Sequence, residues 1–542
     1  MTHPSFPPFA SHSADKYRSA GFWTADTFVT ALDDGAARTP DKSVVEEPRG
    51  KVCSYREMKS RSIRLANAYL RLGLRKGDVI AIQLPSCIDF LIAYIAAARI
   101  GAVLATMHMP YRDAELEPLL RFSDARAVIC GPANGNYEGP IMMDRLRKRV
   151  ASIDNIIVAG HASEDPAWFR MEDAIKAGED TAIGDGPAAS DPVLLCFTSG
   201  TSSSPKGVMH SFETLSANAR AYSKTIDLTG DDRSLITPPF THIFGLECFH
   251  NTLVTGGTLV PVEQYTPQGF AEILEAVAST VVYVAPAHLA GTLKSGKLAG
   301  RDLGSIRHVI LGGSICPPQV AAEFEAFLPN GRVGNLFGMT EVLLTTQTPM
   351  HGTAHARHGT AGRTVPGIDA RIVSDDGAEI AAGETGELQM RGFSVMSGYM
   401  KNPEANAASF TDDGWFRTGD LACRDDDGNI IIVGRKKDLI NRGGVKINPS
   451  DIENIIMEHD QVVHAALVSM ADDVLGERIC AFVTLVAGGS IDLDTLCRFL
   501  SEKGVAKMRW PERLVVIDEM PMTPTRKVIK GALQQQLRDL PI

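Results

Sequence analysis

The chain has 542 residues, a formal net charge of -11, 44% hydrophobic residues and 22% charged residues. That length is enough for two or more domains and a large core, and the composition is that of an ordinary globular protein. The acidic balance excludes a general nucleic-acid-coating protein, so an anionic ligand must be held locally, by glycine loops and single cations.

Residues Met1 to Ser11 are polar and proline-rich and lack the basic and apolar regions of a signal peptide. Nine widely spaced cysteines without a C-x-x-C pair fit reduced thiols in a cytoplasmic protein. The most apolar stretch, Ile88 to Met107, is interrupted by Asp89 and Arg99 and reads as a buried helix followed by a strand, not a membrane span. Up to about residue 430, short β-branched runs alternate with helical patterns. The strands are Val79–Leu84, Ala127–Cys130, Val193–Phe197, Thr280–Val284 and His308–Leu311; the helices include Arg56–Leu72 and Gln319–Leu328. That alternation predicts α/β layers. From Gly359 to Gly444 glycines multiply and the strands shorten (Ala370–Val373, Gly386–Arg391, Asn429–Val433), which predicts a small β subdomain. After Arg435-Lys436-Lys437 comes a compact stretch of helix, two strands, helix and strand between Pro449 and Ile517. The expectation is a large N-terminal α/β domain, 1–436, of helix-flanked sheets with the small β subdomain, then a small mobile α+β domain, 437–542.

Four motifs carry chemistry. The strand Val193–Phe197 runs into Thr198-Ser199-Gly200-Thr201-Ser202-Ser203-Ser204-Pro205-Lys206-Gly207. Small residues let backbone N–H groups turn inward, hydroxyls add donors, and the lysine adds a point charge, so the loop suits phosphate better than a flexible serine linker would. It is not a Walker A loop, because its lysine lacks the preceding glycine and the following Ser/Thr. In Leu336-Phe337-Gly338-Met339-Thr340-Glu341 an aromatic can stack on a base, Thr340 can donate to phosphate and Glu341 can hold Mg²⁺; alone, the motif reads as a buried Phe and a surface Glu. Asp420, after the Gly419 turn, can accept two ribose hydroxyls or merely close a hairpin. The basic stretch Pro521–Lys530 carries no function by composition alone.

In this order and spacing, with Pro239–Gly245 and Leu311-Gly312-Gly313-Ser314 added, the motifs resemble the adenylate-forming superfamily, whose members include acyl- and aryl-CoA synthetases, over about Phe22 to Leu533. The resemblance implies ATP, Mg²⁺ and coenzyme A as cofactors and a small-molecule carboxylic acid as substrate, with no nucleic acid. It places the ATP phosphates in the loop Thr198, Ser199, Gly200, Thr201, Ser202, Ser203 and Lys206, and the adenine slot at Gly312, Gly313 and Phe337. Ser314, Asn335, Gly338 and Ile432 are further ATP- or AMP-binding positions. Thr340 and Glu341 match the α-phosphate donor and the metal ligand, Asp420 and Arg435 the ribose contacts, Lys527 the catalytic lysine and Lys437 the hinge. Gly443, Gly444 and Lys446 fall in the coenzyme A loop. Two positions depart from the family pattern, Ser203 and Arg526, where glycine is usual. Leu311-Gly312-Gly313-Ser314-Ile315 also looks like a carrier-protein phosphopantetheine site, but it lacks the acidic or histidine residue before the serine.

The acyl pocket is implied at His242, Ile243, Phe244, Gly245, Gly338 and Met339. His242 is grouped with the catalytic positions, closing over the site more than acting as a base; its alternative is a structural histidine. Ile243 cannot pair an α-ammonium, and the Gly338 position leaves space that tryptophan fills in acetate-activating relatives. The implied substrate is an apolar alicyclic, aryl or medium-chain acid. Because no carrier-protein domain follows Lys527, free coenzyme A is the expected acceptor; a separate carrier protein, a halt at the adenylate and a catalytically inactive sensor are the alternatives. Lys527 is also implied as a site for a lysine acetyltransferase.

Overall fold

The computed structural model describes residues 11–48, 50–134, 136–160, 168–181, 183–184, 186–198, 205–472, 474–523 and 527–540. They divide into two compact units: residues to 358 with 362–369 and 391–414, and residues 359–361, 370–390 and 415–542.

The first unit carries two large sheets. One has eight strands, in the order Gly398–Tyr399, Lys206–Ser211, Pro192–Thr198, Val103–Thr106, Val79–Gln83, Ala127–Cys130, Asn155–Val158 and Phe169–Arg170. The other has nine, in the order Arg363–Thr364, Leu343–Gln347, Arg332–Met339, His308–Leu311, Val281–Val284, Arg233–Ile236, Thr258–Pro261, Ser43–Glu46 and Val52–Ser54. Their middles are parallel and their margins antiparallel, except at the Phe169–Arg170 edge of the eight-stranded sheet, which is parallel. Parallel strands covered on both faces must be apolar throughout, and Val79–Gln83, Val103–Thr106 and His308–Leu311 are buried at every position.

Local signals start the helices. Ser54 Oγ accepts from the Glu57 N–H at 3.2 Å while the Glu57 carboxylate accepts from the Ser54 N–H at 2.8 Å, a closed capping box before Tyr55–Arg71. The apolar run the sequence marked is the buried helix Ile88–Arg99 followed by the strand Val103–Thr106. Among the described residues no helix is long and apolar enough to cross a membrane.

In the second unit a four-stranded sheet is ordered Ile368–Val373, Gly386–Gly392, Phe416–Arg424, Ile430–Arg435. A five-stranded sheet follows: Val445–Ile447, Ile440–Arg442, Gly476–Leu485 and Val462–Asp472, with Arg513–Val516 added in parallel to Gly476–Leu485. Helices Pro449–Ile456 and Leu493–Glu502 seal one face through Ile452, Ile456, Leu496 and Leu500, which pack on Ile440, Ile447, Leu467 and Ile479. Helix Lys530–Asp539 covers Ala466, Val468 and Phe482 with Leu533 and Leu537. The 436/437 position lies inside this unit, because Asn448 donates to the Val433 carbonyl and Lys436 and Lys446 both bind Asp375.

Leu496 is fully buried in this small core. Leu496→Ala should destabilise the second unit by about 2–5 kcal/mol. Hydrogen exchange at the amides of Val462–Asp472 and Gly476–Leu485 should accelerate, while the strands of the first unit keep their protection.

Candidate active site

Strands Pro192–Thr198 and Lys206–Ser211 pair antiparallel, with Thr198 opposite Lys206 at the end of the ladder. Ser199, Gly200, Thr201, Ser202 and Ser203 lie outside the described residues. Lys206 Nζ stands 5.0 Å from the centroid of the Tyr399 ring, a cation–π arrangement. Tyr399 enters on the short strand Gly398–Tyr399, paired opposite Val208. Its hydroxyl donates to Glu341 Oε1 at 2.9 Å, and both side chains are buried. Burial, then the neighbouring Glu341 charge, raises the Tyr399 phenol far above its ordinary range, which keeps it a donor. A cation, a phenol and a carboxylate thus form a chain at the mouth of the hydroxyl-rich loop.

Thr340 is held through its backbone. Its carbonyl accepts from His210 Nε2 at 2.6 Å, and His210 Nδ1 lies 3.2 Å from Thr214 Oγ1. Burial pushes the His210 ring down to about 4, so it is neutral, with its proton on Nε2. Arg332–Met339 and Leu343–Gln347 form a hairpin whose register shifts between Phe337 and Gly338. A Cβ at Gly338 would overlap the Leu343 carbonyl oxygen. The glycine is therefore required by the close approach of two backbones, and this contact, not open space for an acyl group, accounts for it. Asn335 donates its amide hydrogens to the carbonyls of Arg357 and His358, at 3.1 Å each. Phe337 is half-buried, and its N–H donates to Thr346 Oγ1 at 3.0 Å.

The turn Gly312-Gly313 meets the expected acyl wall: a Cβ at Gly312 would come within 3.0 Å of the Phe244 ring, and Gly313 has φ +91°. Ser314 is exposed beyond them. His242 caps the helix Ile243–Thr255, with Nδ1 accepting from the Phe244 N–H at 3.2 Å. Ile243, Phe244 and Gly245 are buried on the first turn, and Met339 is half-buried. At Gly245 a Cβ would overlap the Pro239 carbonyl oxygen, so the chain can fold back there only with glycine.

In the second unit Asp420 and Arg435 face each other across the strands Phe416–Arg424 and Ile430–Arg435. Arg435 Nε donates to Asp420 Oδ1 at 3.0 Å. Oδ2 is buried without a hydrogen-bond partner among the described residues, and the side chain is 6% exposed. Burial raises the Asp420 carboxyl while Arg435 and Lys527 lower it, with burial the larger effect. A buried acceptor oxygen with nothing to accept fits a hydroxyl-bearing ligand. Ile432 is half-buried on the partner strand. Lys527 closes a small loop: its N–H donates to Thr523 Oγ1 at 3.0 Å, and its carbonyl accepts from the Thr523 N–H at 2.7 Å. Arg526 lies outside the described residues. Lys437 is exposed in the single turn Lys436–Asp438. Gly443 and Gly444, at φ +60° and +87°, make a two-residue hairpin turn that only such residues adopt freely. Lys446 Nζ binds Asp375 Oδ2 at 2.8 Å.

Two site residues escape sequence reasoning. Tyr399 meets Glu341, 58 positions away, and nothing local announces it. His210 stands four residues after Lys206 on one strand, a spacing that could have flagged it. Among the described residues no cluster of three or more His, Cys, Asp or Glu could hold a metal alone. Glu341 nonetheless fits Mg²⁺, which is commonly bound by one carboxylate together with substrate phosphates.

The fold is that of an α/β enzyme, with a lysine–phenol–carboxylate chain in its first unit and, in its second, a buried carboxylate with one oxygen unpaired among the described residues. Residues 32–400 match the AMP-binding enzyme family and residues 451–527 the AMP-binding enzyme C-terminal domain, and the chain belongs to this family. It is similar to the 2-hydroxy-7-methoxy-5-methyl-1-naphthoate–CoA ligase of Streptomyces carzinostaticus, at 31% identity over 98% of this chain and 96% of the relative. It is also similar to the salicyl-AMP ligase/salicyl-S-ArCP synthetase of Mycobacterium tuberculosis, at 32% identity over 98% of this chain and 94% of the relative. Among solved structures, ATP-bound MatB from Rhodopseudomonas palustris superposes with a TM-score of 0.84 at 26% identity, covering 94% of this chain and 99% of that one.

Burial pushes three histidines of the first unit, His108, His210 and His308, down to about 4. In the unfolded chain they titrate near about 6.5. Between these values the unfolded state binds more protons, so stability rises with pH across the window and is lost as pH falls from about 6.5 towards 4. The urea midpoint of the first unit should drop over that range. His210→Gln, which keeps a donor for Thr340 but cannot titrate, should make the slope shallower; an unchanged slope contradicts the assignment.

Proposed function

We propose that this protein is an ATP-dependent carboxylic acid–CoA ligase. A carboxylate oxygen attacks the α-phosphorus of ATP, pyrophosphate leaves, and the acyl-AMP then transfers its acyl group to the thiol of coenzyme A, releasing AMP. The observation that carries this reading is the Lys206–Tyr399–Glu341 chain at the base of the hydroxyl-rich loop, in a chain that belongs to the AMP-binding enzyme family. Bound at Glu341, Mg²⁺ would neutralise charge on the phosphates. Tyr399 fixes the carboxylate, His210 fixes the Thr340 backbone, and Asp420 Oδ2 accepts a ribose hydroxyl. Lys527 supplies positive charge as negative charge builds up at the α-phosphate, and its acylation by a lysine acetyltransferase would remove that charge. Lys437 is the hinge and 436/437 the boundary about which the chain rotates between steps, a rotation that releases the Asn448–Val433 and Lys446–Asp375 contacts, and the Gly443-Gly444 turn and Lys446 border the coenzyme A path.

The acid is alicyclic, aryl or medium-chain. Both curated relatives are named for hydroxylated aromatic acids, which favours the aryl class. The name of the M. tuberculosis relative supports a second reading, loading of a separate carrier protein. Nine free cysteines accord with a cytoplasmic setting. Pyrophosphate release with a panel of acids, with and without coenzyme A, separates the two acceptors: thioester formed on free coenzyme A supports the ligase, and adenylate that accumulates despite coenzyme A favours the carrier protein.

Lys527→Ala should slow adenylate formation by about 10²–10³-fold while sparing thioester formation from pre-made acyl-adenylate. Equal loss in both half-reactions removes the role given to Lys527. Lys437→Pro should do the reverse, because proline fixes φ where rotation between steps is absorbed; survival of both steps moves the hinge elsewhere.

A further inference from the structure

The helix Ile243–Thr255 is buried at every position from Ile243 to Leu253, yet it carries Glu247, His250 and Asn251. Glu247 is four residues on from Ile243, and Asn251 is seven from Phe244, so each lies below a pocket-wall residue on the same helix face. Glu247 is fully buried. Its Oε1 accepts from His250 Nδ1 at 2.9 Å, and His250 Nε2 lies 3.0 Å from the Tyr94 hydroxyl. Its Oε2 has no partner among the described residues, and beside it the Asn251 side chain and the Tyr283 hydroxyl meet each other only loosely. Tyr283, on the strand Val281–Val284, presents its ring edge-on to Phe244 at 6.1 Å.

An unsatisfied buried polar atom costs about 1–3 kcal/mol. Glu247 Oε2, left so next to a loosely paired amide and phenol, is a standing cost that a bound polar group would relieve. Burial raises the Glu247 carboxyl and the His250 hydrogen bond lowers it; a second donor, on Oε2, acts in the same direction as His250 and favours the carboxylate.

We infer that the acid carries a hydrogen-bond donor, a hydroxyl or amino group distal to its carboxylate, and that Glu247 receives it at the floor of the acyl pocket, with Asn251 and Tyr283 completing the contact. This rests on the ligase reading and on Ile243 and Phe244 as pocket wall. The pocket is apolar where Ile243, Phe244 and Met339 stand and polar one turn deeper, so a bare hydrocarbon acid would leave Glu247 Oε2 unpaired. A site built to bond a hydroxyl discriminates strongly against the analogue that lacks it.

The test is kcat/KM for pyrophosphate release with benzoate, its 2-, 3- and 4-hydroxy and 2-amino derivatives, cyclohexanecarboxylate and octanoate. The wild type should prefer at least one donor-bearing acid over benzoate by about 10-fold or more. Glu247→Gln, matched in shape, should shrink that ratio by about 10-fold, and Tyr283→Phe should shift it in the same direction, with thermal melts confirming folded protein. Plain acids used as well as or better than the substituted ones overturn the inference, as does a ratio unchanged in Tyr283→Phe and in folded Glu247→Gln. In that event turnover of plain acids leaves the ligase reading standing. Release with no acid at all would bring down both.

Discussion

The Tyr399–Glu341 hydrogen bond is the contact around which the first unit's candidate site is arranged, because it joins the unit's two sheets. Tyr399 belongs to the end strand of the eight-stranded sheet, and Glu341 follows a strand of the nine-stranded one. A second bond, His210 Nε2–H to the Thr340 carbonyl, spans the same pair of sheets one residue away. A third comes from the helix Phe212–Thr225: Asn218 Nδ2 donates to the Leu344 carbonyl at 2.9 Å, and the Leu344 N–H donates to Asn218 Oδ1 at 3.3 Å. A carboxylate almost removed from water persists only if donors meet it, and a hydrogen bond to a charged group contributes about 1.5–3 kcal/mol. The hairpin turn that carries Thr340 and Glu341 is thereby fixed from three directions before any ligand arrives, which is the preorganisation that electrostatic catalysis requires.

Asp420 is arranged on the opposite principle. Arg435 occupies one of its oxygens and leaves the other buried and unpaired. In Glu341 burial is compensated by protein groups; in Asp420 it is compensated in part, and the remainder is a free acceptor. An acceptor held dry binds a hydroxyl more tightly than one already solvated, since little water has to be displaced from it.

Much of this was legible in the sequence, and the limits have physical causes. Strands Ala127–Cys130 and His308–Leu311 coincide with their sequence reading, because parallel strands covered on both faces are continuous apolar runs. The alternation of strands and helices announced the α/β class. Lys206 and Glu341 were legible as residue types with a chemistry, but not as neighbours, because the ring that joins them comes from a two-residue strand far along the chain. Gly338 was legible as a missing side chain and its reason was not: glycine reads alike whether it leaves room for a ligand or for the Leu343 backbone, and only the hairpin register distinguishes them. The polar floor below Ile243 was invisible for a similar cause, since Glu247 and His250 in a sequence look like a solvated helix face until burial is known.

The segment that delivers Tyr399 is itself held by residues ahead of the family match. Phe22 stacks on Phe393 at 4.6 Å, and Trp23 Nε1–H donates to the Phe393 carbonyl at 3.1 Å. Arg18 binds Glu213 with two hydrogen bonds, of 3.0 and 3.2 Å, and Arg220 donates to the Phe22 carbonyl. Three residues after Phe393, the Met396 N–H donates to the Glu341 carbonyl at 2.8 Å, and Tyr399 follows. Glu341 is therefore held by its backbone and by its side chain from one short stretch, and that stretch is clamped by the first described helix and the turn after it. Because contacts in one network are coupled, loosening the clamp at Phe22 or Trp23 acts on Glu341 without touching it. The family match begins at residue 32, so this support comes from the part of the chain where the family pattern is silent.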